Sequence, residues 1–283
     1  MTLHTLAEWL RCPQCAEPLQ AREPLALACP AGHSFDVNKR GFVNLVPGGS
    51  RMIGDSPAML DARASFLGAG HFGPVRAALV AAAGAGAAPR RIVDAGCGTG
   101  YYLDGLLTPG TTSSALAMDI SPHAVARAVR GGRALLEGSD GAVDGLVADI
   151  WRPLPLRDAS ADLLFTVFAP RNLPEFHRAL APSGRLVVVV PTARHIRQLR
   201  EAGQALDIPA EKAERLQAEA APLFTAVGRA AVEYDIVVSP ADAARLVGMG
   251  PSAHHSGAEA DAGADAADMT VTVSVDVLSF VPR

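Results

Sequence analysis

From Arg91 onward, the apolar positions fall into short β-branched runs separated by helical or turn-rich text: RIVDAG, SALAMDI, GLVADI, ADLLFTVF and GRLVVVV. Runs of this kind alternating with helices predict a parallel sheet covered by helices on both faces, an α/β fold. Two later runs, AVEYDIVVS and MTVTVSVDVLSFV, predict an antiparallel pair at the edge of that sheet, with a short helix from about Asp242 to Val247 after the first. Upstream, PAMLDARASFLGAGHFGPVRAALVAAA repeats its apolar residues at helical spacing around a break at Gly68 to Gly73, which predicts two helices joined by a turn. Residues 1–47 read differently. Their apolar runs are short and broken by Cys, Pro and Gly, the pattern of a metal-stapled module too small for a core of its own.

Composition sharpens this picture at two points. Of four cysteines, three crowd between Cys12 and Cys29 and the fourth, Cys97, sits in a glycine-rich stretch, a distribution that fits a metal site better than a disulfide framework. Cys12-Pro-Gln-Cys15 and Cys29-Pro-Ala-Gly-His33 together supply three thiolates and an imidazole, the ligand set of a closed tetrahedral Zn2+ site. With all four positions filled by side chains, the metal has a structural rather than a catalytic task. The net charge of −4 gives no global attraction to nucleic acid, so any RNA contact must come from a local basic surface such as Lys39, Arg40 and Arg51, or from shape. Phe35 and Phe42 read as packing under the metal. Stacking on unpaired bases is their alternative. The Ala-Gly-rich stretches 81–88 and 257–267 read as loops. No run reaches the roughly 20 apolar residues of a membrane span, and no basic segment followed by an apolar core opens the chain; a soluble cytoplasmic protein without a membrane partner is expected.

The first strand runs into Asp94-Ala-Gly96-Cys-Gly98-Thr99-Gly100, where alternate glycines let a ligand press against the backbone as a helix begins. This is not the Gly-x-Gly-x-x-Gly of dinucleotide folds. It is the turn along which methyltransferases lay the adenosyl and methionine parts of S-adenosyl-L-methionine, with Asp94 placed to hold the amino group directly or through water. Asp119 ends the next strand, where a carboxylate can accept from both ribose hydroxyls, and Asp149 ends the following one, within reach of an adenine amine. Three acids at successive strand ends, outside which open α/β sheets bind their ligands, point to a class I S-adenosylmethionine-dependent methyltransferase: Rossmann-like, with a seven-stranded sheet and an antiparallel last strand. Cys97 reads as a small packing residue rather than a nucleophile.

The fourth strand ends in Val167-Phe-Ala-Pro-Arg171-Asn172, not in the Asn/Asp-Pro-Pro-Tyr/Phe of enzymes that methylate exocyclic amines, which disfavours that chemistry. Methylation of a ring nitrogen such as guanine N1 needs either a proton acceptor or stabilisation of the deprotonated ring. Arg171 offers a positive field or a phosphate contact, and His195, after the fifth strand, a base or a cofactor contact; the catalytic residue stays open between them.

The order of LRCPQCAEPL, CPAGHSFDVNKRGFVNL, LDARASFLGAGHFGPV, VDAGCGTGYYL, VFAPRN, PTARHIRQL and VGMGPSAHH resembles the 23S rRNA guanine-N1 methyltransferase family, which includes the macrolide-resistance enzymes of actinomycetes. The resemblance implies methyl transfer to a guanine in a 23S rRNA hairpin loop near the peptide exit tunnel, zinc ligands at Cys12, Cys15, Cys29 and His33, and cofactor contacts at Gly98, Thr99, His195 and Phe72. Many relatives carry Tyr where this chain has Phe72, which keeps a stacking face and loses a hydroxyl, and some carry Trp in place of His254. A homodimer is also implied, though no stretch specifies an interface. The expected organisation is a zinc-binding RNA-recognition module at 1–47, a helical connector contributing to the cofactor pocket at 48–90 and the methyltransferase domain at 91–283. Two other readings compete: a small-molecule methyltransferase whose zinc module is a lid, and an rRNA-binding protein without transfer activity.

Overall fold

The computed structural model describes residues 3–48, 50, 52–86, 88–110, 114–209, 211–249 and 267–283. Arg51, His254 and all but the last residue of the Ala-Gly-rich stretch 257–267 lie outside them. The elements run, in chain order, α1 (Leu3–Trp9), β1 (Gln20–Arg22), β2 (Ala26–Ala28), β3 (Ser34–Asn38), β4 (Phe42–Asn44), α2 (Pro57–Gly68), α3 (Gly73–Ala83), β5 (Arg91–Ala95), α4 (Tyr101–Asp104), β6 (Ser114–Asp119), α5 (Pro122–Leu135), β7 (Ala142–Val147), β8 (Ala161–Val167), α6 (Leu173–Ala179), β9 (Leu180–Pro191), α7 (Arg197–Glu201), α8 (Lys212–Ala220), β10 (Phe224–Val238), α9 (Pro240–Gly248) and β11 (Met269–Pro282). Three of the helices start alike. Ser56, Ser121 and Ser239 each accept a hydrogen bond from a backbone N–H of the first turn, and a proline follows at the position whose own N–H would have no partner.

The strands form one sheet in the order β1-β2-β3-β4-β7-β6-β5-β8-β9-β11-β10. Strands β4 through β9 are parallel, β11 is antiparallel to β9, and β10 pairs antiparallel with β11. The predicted pair of late strands thus closes the far edge, with the last strand inserted inside the one before it. Alternate residues face opposite ways: Val93 and Leu116 belong to the core on one face, Ile92 and Ala115 to the core on the other. The two predicted helices, α2 and α3, cover the second face, and α3 runs through Ala83 before Gly84 ends it, so the first part of the 81–88 stretch is helix and not loop.

The N-terminal ribbon is stitched into this body. β4 pairs in parallel with β7, and Trp9, Leu10, Leu19, Leu27 and Val43 share one core with Leu146 and Leu164. The Trp9 indole donates to Ser114 Oγ at 2.9 Å beneath the Arg91 guanidinium, and Arg157 donates to the carbonyls of Leu10 and Leu19. No single helix among the described residues is long and apolar enough to cross a membrane.

Candidate active site

Two turns bring the metal-type ligands together. Ala16 N donates to Cys12 O with Ala16 in the left-handed region, and Gly32 N donates to Cys29 O with φ +90°, a conformation that suits glycine. All four candidate ligand atoms lie within 4.8 Å of one another. Cys15 and Cys29 Sγ are 3.6 Å apart, and His33 Nδ1 sits 3.4 Å from Cys12 Sγ and 3.3 Å from Cys29 Sγ. A tetrahedron with metal–ligand distances of about 2.0–2.3 Å has edges of about 3.5–3.8 Å, so these side chains fit a zinc ion with little movement. Phe42 is buried and Phe35 packs against the core, while Lys39 and Arg40 are exposed.

The second site is a cavity of about 560 Å³ at the C-terminal ends of β5, β6 and β8. The chain leaves β5 toward β6 and β7, then returns to place β8 on the other side, and the crevice at such a reversal is where open α/β sheets bind ligands. Gly96, Gly98, Thr99, Asp119, Phe72 and His195 all line it. Gly96 and Gly98 have positive φ, and an added Cβ would strike Ala169 at 2.5 Å and Arg63 at 2.9 Å respectively. Asp119 fixes the turn, accepting from Gly98 N at 3.0 Å and from Ser121 N at 2.9 Å. Burial raises the proton affinity of its carboxyl, and these two N–H groups oppose the rise.

The remaining predicted residues stand further back. Asp94 is buried below the turn, held well above the usual carboxylate range by burial and by the charges of Asp119 and Asp104. Gly100 has φ +86°, and a Cβ there would meet Ala128 at 2.9 Å, so its glycine serves the packing of α4 on α5. Asp149 accepts from Ser50 Oγ and Trp151 N, and its neighbours Ala148 and Ile150 form the cavity wall in its place. Burial and the nearby carboxylates keep the Cys97 thiol protonated, which suits packing and not nucleophilic attack.

Opposite the glycine turn, Val167, Phe168, Ala169 and Pro170 form the wall. Phe168 adopts φ +54°, an uncommon conformation for a bulky residue; the residue is 41% exposed, and its ring centroid lies 5.4 Å from that of His195. Asn172 ties this loop down by donating to the carbonyls of Ile150 and Arg152. His195 is buried between Phe72 and Phe168, and its Nδ1 accepts from Ser274 N at 3.2 Å. Burial and the cations of Arg200 and Lys212 lower its pKa from 6.5 to about 4. The neutral ring therefore carries its proton on Nε2 and enters the cavity as a donor.

Sequence comparison gives two matched families: the "RlmA, N-terminal" model over residues 10–51 and the "Methyltransferase domain" model over 93–188. A Streptomyces fradiae protein named 23S rRNA (guanine(748)-N(1))-methyltransferase is 39% identical over 88% of this chain and 87% of its own length. A Micromonospora griseorubida protein provisionally assigned as a 23S rRNA (guanine-N(1)-)-methyltransferase is 39% identical over 96% of this chain and 97% of its own length. This chain belongs to the 23S rRNA (guanine-N1)-methyltransferase family. Among solved structures, the Bacillus subtilis YcgJ protein matches 75% of this chain and 99% of its own with a TM-score of 0.51 at 15% identity, a likeness of fold alone. The class I methyltransferase fold and the metal-type ribbon of this family member are both as the motifs predicted.

Several cavity residues of this family member escape sequence reasoning. Arg63, from the middle of α2, lies against Gly98, pairs with Asp55 and donates to Met249 O at 2.7 Å. Tyr102 also lines the cavity, with a buried hydroxyl that has no hydrogen-bond partner among the described residues. Lys212 reaches the cavity from α8. The one local signal for Arg63 is a charged residue inside a largely apolar helix; Asp55 and Lys212 have none.

Proposed function

We propose that this protein transfers a methyl group from S-adenosylmethionine to N1 of a guanine in a 23S rRNA hairpin loop near the peptide exit tunnel, a modification suited to macrolide resistance. The observation that carries the reading is a single cavity joining the glycine turn and Asp119 to the exposed face of Phe168. One end matches a nucleoside with an amino-acid tail, and the other offers an aromatic face to an unstacked base. The bound cofactor supplies an electrophilic methyl group on a sulfonium. On the protein's side, Gly96, Gly98 and Thr99 shape the cradle, Asp119 orients the ribose, Phe72 and His195 contact the donor and Asp94 receives its amino group from below, while Gly100 and Asp149 steady the walls. Cys12, Cys15, Cys29 and His33 hold a structural Zn2+. Residues 1–47 present the RNA, with Lys39 and Arg40 as phosphate contacts; 48–90 roof the pocket, and 91–283 perform the transfer. The protein acts on the large ribosomal subunit in the cytoplasm, as a homodimer like the family it resembles.

The test is incubation of the purified protein with S-adenosylmethionine and 23S rRNA, followed by mass-spectrometric mapping of methylated guanine. A 1-methylguanine confined to one hairpin, and lost with Asp119→Ala, is expected. Methyl transfer only to small metabolites, or cofactor and RNA binding with no modified guanine, would replace this reading with one of its two competitors.

A further inference from the structure

The cavity end beside Phe168 holds positive charge that cofactor binding does not use. Lys212, the first residue of α8, lines the cavity and is about half out of water. Arg171, at the end of the Val167–Arg171 segment, is similarly half buried and near enough to lower the lysine's proton affinity. Neither side chain makes a hydrogen bond or ion pair with any described residue. Two like charges partly stripped of water, with no described carboxylate in ion-pair contact, are unfavourable in the free protein and become favourable when an anion binds against the lysine. The charged groups around them do not fill that place. Glu219 acts on Arg171 only at longer range, Asp207 is exposed and engaged by Arg200, and Asp55 is paired with Arg63 at the far end.

Among the described residues, this end sets no buried proton acceptor against Phe168. Its imidazole, His195, has Nδ1 committed to Ser274 N and a proton on Nε2. Yet guanine N1 must lose its hydrogen before it can carry a methyl group. A base lying on the Phe168 face next to His195 would share the cavity with Lys212, whose charge reaches the His195 ring.

We propose that Lys212, with Arg171 behind it, binds the N1–O6 edge of the acceptor guanine as its anion, so that the proton leaves to solvent and not to a side chain. The inference rests on the guanine-N1 reading above. In the step, the N1–H bond breaks and its proton passes to water. The N1 electron pair then forms the bond to the methyl carbon as the carbon–sulfur bond breaks, its electrons neutralising the sulfonium. Lys212 touches the substrate. Arg171 is a positioning residue that reinforces the field.

The test is single-turnover methylation of a 23S hairpin RNA carrying either guanine or the more acidic 6-thioguanine at the target, from about pH 6 to about pH 9. Wild type, Lys212→Gln, Lys212→Arg and Arg171→Gln are compared, with S-adenosylhomocysteine affinity as the check that each variant is folded. For Lys212→Gln, methylation of guanine at neutral pH should slow about a hundredfold. That defect should shrink as pH rises and shrink again on 6-thioguanine, with cofactor affinity unchanged. Lys212→Arg should retain most of the rate, and Arg171→Gln should show a weaker defect of the same pH dependence. A defect equal on both bases at every pH would make Lys212 a phosphate contact. Lys212→Arg as slow as Lys212→Gln would make the amine the proton acceptor, and either result overturns the proposal. Unimpaired variants sink this inference alone, whereas a wild-type protein inert toward both RNAs removes the guanine-N1 reading and the inference together.

Discussion

His195 is locked by three neighbours at once: the Ser274 amide at Nδ1 and the rings of Phe72 and Phe168 on its sides. Its pKa falls from 6.5 to about 4, so folding favours the neutral form. The stability this gives is complete above the unfolded value and is lost as pH drops from 6.5 through about 4, a loss on the order of 3 kcal/mol for the free protein. Thermal unfolding of wild type and His195→Gln across that range should therefore converge as the pH falls; parallel curves would mean that the ring is charged in the native state. At this scale the sequence was legible wherever chemistry is carried by close neighbours. Cys12, Cys15, Cys29 and His33 announce themselves by spacing, and Gly96 and Gly98 by alternation. Arg63 and Lys212 did not, because Met249 is 186 residues from Arg63 and Lys212 reaches His195 only through the fold.

Among the elements, the joint between β4 and β7 carries most consequence. Leu45 N donates to Val147 O and Gly145 N to Gly41 O, so the N-terminal ribbon continues the sheet that builds the cavity. Gly145 allows this approach: a Cβ there would fall 2.4 Å from Val125 Cγ1 and 2.6 Å from Phe42 Cβ. Gly145→Ala should destabilise the protein by about 1–3 kcal/mol through overpacking. It should also speed hydrogen exchange at the amides of 42–45, measured beside thermal denaturation. A variant with wild-type melting and exchange would show that α5 and β4 yield freely there. The strands themselves were readable from their β-branched runs, although β10 begins at Phe224, well before the apolar text. Its first half, with Val227 and Arg229 exposed, is strand because it pairs with β11 and not because of its own pattern.

For the molecule as a whole, the shared core makes metal removal more than a local event. Binding at a closed tetrahedral site supplies on the order of 10 kcal/mol to the folding of small zinc modules. Here Cys12 and Cys29 belong to the cluster that also holds Val93, Leu116 and Leu146. Chelation should open the segment 11–40 to protease and lower the unfolding temperature of the entire chain in a single calorimetric transition. Two separate transitions, the second at the temperature of the metal-loaded protein, would show the ribbon to be an independent unit.

What the residues alone determined is the local chemistry: a metal-type ligand set, a glycine turn with acids at successive strand ends, and an α/β sheet with a reversed last strand, each encoded within a few positions by spacing, φ requirement or periodicity. Tertiary structure decided which distant side chains share the cavity, which nitrogen of His195 bears the proton, and that the metal ribbon is an extension of the sheet. Those outcomes depend on burial and on contacts between segments a hundred residues apart, and no window of sequence contains the partner that fixes them.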